Sequence, residues 1–257
     1  MLLTIGTITV CTLASFVAGV VDSIAGGGGL ITTPALLLSG VPPHYTMGTS
    51  KFSSTLGTAA ALFNYARRGY VMWRIAPVGI AFSLIGAWCG SVLALHLDSD
   101  VLGKIMVAML PLGMLLTLLP KKEQTTSAGP LTSGRFWFCA AAVSFVVGAY
   151  DGFFGPGAGS FFILAFHWIL RMGLVEASAA AKVLNLASNV GALVALLWAG
   201  KVLFALALPM AVAGICGNWI GSRLALRSGA PLVRRFLVVS MGMLLCTLIW
   251  RYIIVGV

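Results

Sequence analysis

The chain has 257 residues, of which 60% are hydrophobic and 9% charged, with a mean hydropathy of +1.03. Soluble domains carry about 25% charged residues, so this composition excludes a water-soluble enzyme or binding domain and points to an integral membrane protein. The net charge of +10 does not argue for nucleic acid, because the basic residues cluster in short loops between apolar runs, as cytoplasmic loops do.

The apolar runs are long and lack period-2 alternation, so they predict spanning helices rather than a closed barrel. In chain order they fall at 2–21, 30–41, 50–66, 71–96 and 101–119. A polar linker "KKEQTTSAGPLTSG" (121–134) follows, then runs at 136–150, 158–170, 177–199, 201–226 and 231–256. The first run lacks a basic n-region and leads straight into Asp22, so it reads as a retained helix rather than a cleaved signal. It ends at "DSIAGGGGL" (22–30), and "DGFFGPGAGS" (151–160) interrupts the chain in the same way. A helical glycine costs about 1 kcal/mol against alanine, so four in a row, or Gly-Pro-Gly, ends a helix. The pieces that follow, "LITTPALLLSGV" and "AGSFFILAFHWIL", are too short to cross a bilayer. Each break is read as the tip of a helical hairpin that enters and returns on one side, with three full crossings after it.

The second half repeats the first. "GAWCGSVLA" (86–94) corresponds to "GNWIGSRLA" (217–225), and the same shift of 131 residues brings Lys51 onto Lys182 and Gly69 onto Gly200. A shift of 129 brings Asp22 onto Asp151, Gly26 onto Gly155 and Gly28 onto Gly157. The expected fold is an all-α polytopic membrane protein of two homologous repeats, 1–120 and 135–257, joined by a cytoplasmic linker at 121–134. Three crossings per repeat make the second inverted. One side then collects Arg67, Arg68, Arg74, Lys121, Lys122, Arg135, Arg171, Arg223, Arg227, Arg234 and Arg235, while Lys201 and Arg251 stay on the other. A parallel arrangement splits these charges more evenly, so the positive-inside rule prefers inversion, with both termini outside.

Paired broken segments at matching places in two halves point to a transport site. A broken helix presents free N–H groups and the positive end of its dipole, and glycine lets an oxyanion approach the backbone. Gly26, Gly27, Gly28 and Gly29, with Gly155 and Gly157, are therefore candidate anion contacts, although glycines also serve tight helix packing. The stretch "GVVDSIAGGGGLITTPALLLSGVPPHYTMGTSKFSSTLGT" and its counterpart "GAYDGFFGPGAGSFFILAFHWILRMGLVEASAAAKVLNLASN" resemble the two repeats of the TauE/SafE sulfite-exporter family, also called the 4-toluene sulfonate uptake permeases. The resemblance covers nearly the whole chain. It implies a secondary transporter of sulfur-containing anions such as sulfite, sulfonates and sulfoacetate.

An ionisable residue inside a span is costly unless paired or solvated, which makes Lys51 and Lys182 candidate substrate residues; a lysine that snorkels to the interface is the alternative. Ser50, Ser54 and Thr58 share one helical face, as do their counterparts Asn185 and Asn189. A sulfonate offers three acceptor oxygens and stays ionised, and these side chains offer donors to it. They equally fit polar contacts between helices, as do Thr49, Ser53 and Ser188. Asp22 and Asp151 stand beside the breaks, where each can carry a proton, cap the following half-helix or pair with a lysine.

The remaining residue types add no second chemistry. Five cysteines in apolar runs, without a Cys-x-x-Cys pair, read as buried free thiols. His44, His96 and His167 lack metal-ligand spacing and read as loop or interface residues, while Trp73, Trp137, Trp168 and Trp250 read as an interface belt. No cofactor, metal or catalytic residue is expected. The expected partners are a small anion and the bilayer, with a homo-oligomer left open. The function expected is inner-membrane transport of small sulfur-containing anions by alternating access. A potential negative inside drives a lone anion outward, so export is favoured. A cation- or proton-coupled importer, and an intramembrane enzyme using Asp22 and Asp151, are the rival readings.

Overall fold

The structure is a computed structural model that describes residues 4–118, 133–170, 172 and 174–249; the expected linker lies outside the described residues except for its last two positions. Trp250 and Arg251 also lie outside them. The described residues form helices and no strand: α1 (Ile5–Ala25), α2 (Gly29–Leu38), α3 (Pro43–Arg67), α4 (Ala76–Leu95), α5 (Ser99–Leu118), α6 (Ser133–Phe153), α7 (Ala158–Trp168), α8 (Leu174–Trp198) and α9 (Phe204–Ile249). Five are long and apolar enough to cross a membrane, namely α1, α4, α6, α8 and the Phe204–Arg227 part of α9. The chain is an all-helical membrane protein, as its composition requires.

Both breaks occur where expected. α2 and α7 have 10 and 11 residues, and at 1.5 Å per residue each is about 15 Å long, half the hydrocarbon thickness. α1 and α2 double back as a hairpin: the Gly28 N–H meets Asp22 at the tip, while Cys11 near the start of α1 lies beside Ser39 after α2.

The second half departs from expectation at its end. A turn between residues 226 and 231 was expected, but α9 is helical for 46 residues through Gly229 and Pro231, a length of about 69 Å. Carrying a glycine and a proline costs a helix about 4 kcal/mol. A break in apolar surroundings leaves several backbone groups unpaired at several kcal/mol each. Continuing the helix is the smaller loss, and the described residues of the second half show two helices after its hairpin instead of three.

Contacts fix the chain directions. From α3 to α9, Thr49 Oγ1 accepts from the Leu203 N–H (3.2 Å), Ser53 Oγ donates to the Met210 carbonyl (2.9 Å) and Asn64 Nδ2 donates to Ser222 (2.8 Å). The partners advance in step, so these helices run parallel. α1 joins them, with Ser15 on the Met210 carbonyl and Gly221 against Val20. α4 runs parallel to α6, with Gly86 against Phe145 and Gly90 against Ala149, and to α8, with Gly79 against Leu184 and Gly191 against Leu84. Between the two groups the order reverses. Lys51 near the start of α3 meets Asn189 late in α8, while Tyr65 near the end of α3 shares a core with Ala177 near the start of α8.

The matched "GxWxGS" stretches take matched jobs. Gly86 and Gly90 let α4 lie on the backbone of α6, and Gly217 and Gly221 let α9 lie on the backbone of α1. The C-terminal ends of α3 and α8 also close alike. Gly69 (φ +73°) and Gly200 (φ +67°) take the left-handed conformation, and the following N–H reaches back to the Tyr65 and Leu196 carbonyls, respectively.

Two minor expectations change. Cys11 is buried, but Cys89 and Cys216 face outward; a surface set against lipid can be as apolar as the interior, so a thiol has no reason to hide. His44 and His167 are buried rather than peripheral, each bonding a helix-end carbonyl, Ala94 at 3.2 Å and Met172 at 2.8 Å.

Candidate functional site

The site is built where the two breaks touch. α1 ends because Gly26 turns left-handed (φ +79°) and returns its N–H to the Asp22 carbonyl at 2.7 Å. The Asp22 side chain then spans the gap, its Oδ1 accepting from the Gly28 N–H at 3.3 Å. In the other break Gly155 (φ +92°) and Gly157 (φ +85°) flank Pro156, whose carbonyl accepts from the Tyr150 hydroxyl at 2.7 Å. Ser160 Oγ donates to the Ala25 carbonyl at 2.6 Å, and Gly26 lies against the Gly159 and Ser160 backbone. The start of α7 is thereby fastened to the end of α1.

Each lysine pairs with the aspartate of the other half. Lys51 Nζ lies 2.7 Å from Asp151 Oδ1, and Lys182 Nζ lies 3.0 Å from Asp22 Oδ2 and also donates to the Asp22 backbone carbonyl. Lys51, Asp151 and Lys182 are 7%, 2% and 1% exposed. Effective desolvation of a lone buried ion costs several kcal/mol, so these pairs hold only as pairs. Lys51 also donates to Asn189 Oδ1 at 3.0 Å, and Asn189 Nδ2 donates to Asn185 Oδ1 at 3.4 Å. Ser188 Oγ donates to Asp151 Oδ2 at 2.6 Å. Asp22 thus both caps and pairs, whereas Asp151 pairs.

Beside Lys51 lies a cleft with about 30 Å³ of room, enough for one or two water molecules. The expected residues Asp22, Gly26, Gly29, Ser50, Lys51, Ser54, Asp151, Gly155, Asn185 and Asn189 line it. Residues 11–248 match the family model described as sulfite exporter TauE/SafE. The chain belongs to that family. Among curated TauE/SafE-like relatives, "Probable membrane transporter protein ORF9" of a Sinorhizobium species is 39% identical over 228 residues, covering 88% of this chain and 86% of its own. "Probable membrane transporter protein YfcA" of Escherichia coli K12 is 35% identical over 237 residues, covering 92% and 87%. A "Probable membrane transporter protein" of Haemophilus influenzae is 32% identical over 236 residues, covering 91% of each chain. No solved structure matches. The protein is thus a membrane transporter of the TauE/SafE family, multi-pass in the bacterial inner membrane.

Not every expected residue of this TauE/SafE chain reaches the cleft. Gly27, Gly28, Gly157 and Lys182 do not line it. Gly28 has ordinary helical torsions, and a Cβ there would sit 2.7 Å from the Asp22 Cβ and 2.9 Å from the Ala18 carbonyl oxygen, so this glycine lets α2 turn closely against α1. Lys182 is held behind the cleft by Asp22. The α3 polar residues divide by helical face. Ser50, bonded to Thr32 at 3.0 Å, and Ser54 face the cleft, while Thr49 and Ser53 bind α9. Thr58, expected to continue the stripe, is buried off the cleft without a hydrogen-bond partner among the described residues.

Sequence reading overlooked Thr33, Met47, Phe154, Pro156 and Gly159, which complete the lining. Helical spacing could have found two of them, since Met47 precedes Lys51 by four residues and Thr33 follows Gly29 by four. Phe154, Pro156 and Gly159 belong to the second break and were masked by attention to its other glycines. Among the described residues no three His, Cys, Asp or Glu side chains converge.

Proposed function

We propose that this TauE/SafE protein is a secondary transporter that exports small sulfur-containing anions, such as sulfite, sulfonates and sulfoacetate, by alternating access between two inverted repeats. The observation that carries this reading is the ammonium of Lys51. It is buried at the junction of two helix breaks beside the neutral polar groups of Ser50, Ser54, Asn185 and Asn189. A sulfonate presents three acceptors and a fixed charge, which suits a cation ringed by hydroxyls and amides. The family's description as sulfite exporters supports the sulfur oxyanions as cargo.

Inversion is supported by chain direction. Lys51 and Lys182 hold matching places on α3 and α8, and these helices run oppositely; α1, parallel to α3, opposes α6, parallel to α4 and α8. The cleft holds only a water or two, so cargo needs a wider conformation, and rocking of one repeat against the other provides it. The sodium-coupled and intramembrane-enzyme readings fare worse. Both aspartates already carry lysine partners, which leaves neither free as a sodium ligand nor paired with the other as a catalytic dyad.

A thermal-shift screen of purified protein with sulfite, sulfoacetate, taurine, thiosulfate and organic acids tests the reading. A true ligand at 100 times its dissociation constant stabilises the fold by about 2.7 kcal/mol. Stabilisation by sulfur oxyanions, followed by their flux from proteoliposomes, is the expected result. A screen and flux assays in which only Na⁺ registers would sink it.

A further inference from the structure

We infer that the anion does not cross alone: as it takes over Lys51, Asp151 takes up a proton, and anion and proton travel together as a neutral unit. The inference rests on the anion-transport reading above, concerns the charge that reading leaves unbalanced, and makes the anion and proton gradients, instead of the potential on a lone anion, what sets the direction of transport. In the closed cleft the charges cancel, Lys51 against Asp151 and Lys182 against Asp22. An arriving monoanion either shares the Lys51 ammonium with the Asp151 carboxylate or supplants it, and in both cases two negative charges face one positive charge, because the other acceptor on Nζ, Asn189 Oδ1, is neutral. Asp151 is 2% exposed, and a carboxylate left there beside an anion has one ammonium for two negative charges and room for a water or two at most. A proton on Asp151 removes that excess.

The hydrogen bonds around Asp151 accommodate such a proton. Ser188 has one hydroxyl hydrogen, yet it faces two acceptors, Asp151 Oδ2 at 2.6 Å and the Asn185 carbonyl at 3.0 Å. With Asp151 ionised, one hydrogen serves both. With a proton on Oδ2, the carboxyl donates to Ser188 Oγ and the serine donates to Asn185, so each acceptor has its own hydrogen. The balance is simple. An O–H bond forms at Asp151 Oδ2 with a proton from water on the loading side. The Lys51 ammonium keeps its three hydrogens and exchanges one oxyanion for another. On the far side the anion leaves, Lys51 returns to Asp151, and the proton departs.

Other charged groups do not substitute for this proton. Lys51 reaches Asp151 from α3, and Asp22 of α1 lines the same cleft but is held by Lys182 of α8. Glu176 stands twelve residues before Ser188 on α8, about 18 Å along the helix. Neighbouring Tyr150 donates to the Pro156 carbonyl. α4 has no charged residue, and its one thiol, Cys89, faces outward. α7 has only His167, whose ring bonds the Met172 carbonyl.

The test uses the intact protein in liposomes with an internal pH dye, a potential clamped by potassium and valinomycin, and methanesulfonate, which is a monoanion throughout. The inference expects one proton per methanesulfonate in the same direction, uptake driven by external acid, and no response to potential. A lone anion would instead change its accumulation roughly 50-fold per 100 mV. Flux with that voltage response and no proton movement overturns the inference while sparing the anion reading. Absence of any sulfonate or sulfite flux overturns both. Asp151→Asn keeps the shape and the bonds to Ser188 and Lys51 but cannot ionise, so its residual net anion flux should become proton-free and voltage-sensitive. Should that variant fail to fold, the wild-type stoichiometry decides alone.

Discussion

Lys51 and Lys182 occupy matching positions and make matching ion pairs, yet only Lys51 reaches the cleft. Lys51→Ala should therefore weaken sulfite binding at least tenfold, since a hydrogen bond to a charged group contributes about 1.5–3 kcal/mol, whereas Arg67→Ala on the exposed end of α3 should not. Lys182→Ala strands Asp22, which lines the cleft, and should show mainly as lost stability, by about 3 kcal/mol, with a smaller loss of affinity than Lys51→Ala. Calorimetric titration together with melting temperature separates the two, and equal affinity losses in both lysine variants would refute the assignment. The double variant Lys51→Ala with Asp151→Asn should recover stability but not binding. That both lysines stand inside apolar runs was legible in the sequence, and the structure shows both buried and paired with aspartates. Which one faces the cleft was not legible, because it depends on how Asp22 lies across the first break.

The breaks are the elements on which the site depends, and their sequence signature was plain: consecutive glycines or Gly-Pro-Gly, then a helix too short to span. Which glycine does what is a tertiary matter. Gly28, with helical torsions, packs on α1, whereas Gly26 needs a left-handed torsion and also lies against α7. Gly26→Ala should be among the most damaging single substitutions. Its Cβ would sit 2.6 Å from the Ser160 nitrogen, on top of a left-handed torsion costing about 1–2 kcal/mol. Gly69→Ala supplies the control, with a similar torsion of +73° but nothing within 4 Å of its Cβ. Melting temperatures should fall slightly for Gly69→Ala and much further for Gly26→Ala. Equal falls would mean the breaks do not press together. α9 shows the opposite limit of local reading: Gly229 and Pro231 look like a boundary, and the helix runs through them.

At the scale of the whole molecule, the ion pairs tie the halves together: each lysine reaches the aspartate of the other half, so the proposed rocking of one half against the other must strain or exchange these pairs. That coupling needs inversion, because only then do α3 and α8 meet head to tail and present Lys51 and Lys182 to aspartates of opposite halves. Motif spacing gave the expectation of a duplication and arginine placement that of inversion, but neither could reveal the exchange of partners between halves. Labelling tests the arrangement. Arg68 and Ala199 hold corresponding places after α3 and α8, 131 residues apart, and both are exposed beside similar left-handed glycine caps. In a cysteine-free background, Arg68→Cys should react with a membrane-impermeant maleimide only from the cytoplasmic side, and Ala199→Cys only from the outside. Parallel repeats predict that both react from the same side, which would remove the basis for alternating access between the halves. Arg227→Cys, on the exposed surface toward which α9 runs parallel to α3, should follow Arg68. If it followed Ala199 instead, the parallel packing of α3 and α9 would be wrong, and the partner exchange between the halves would lose its geometric basis.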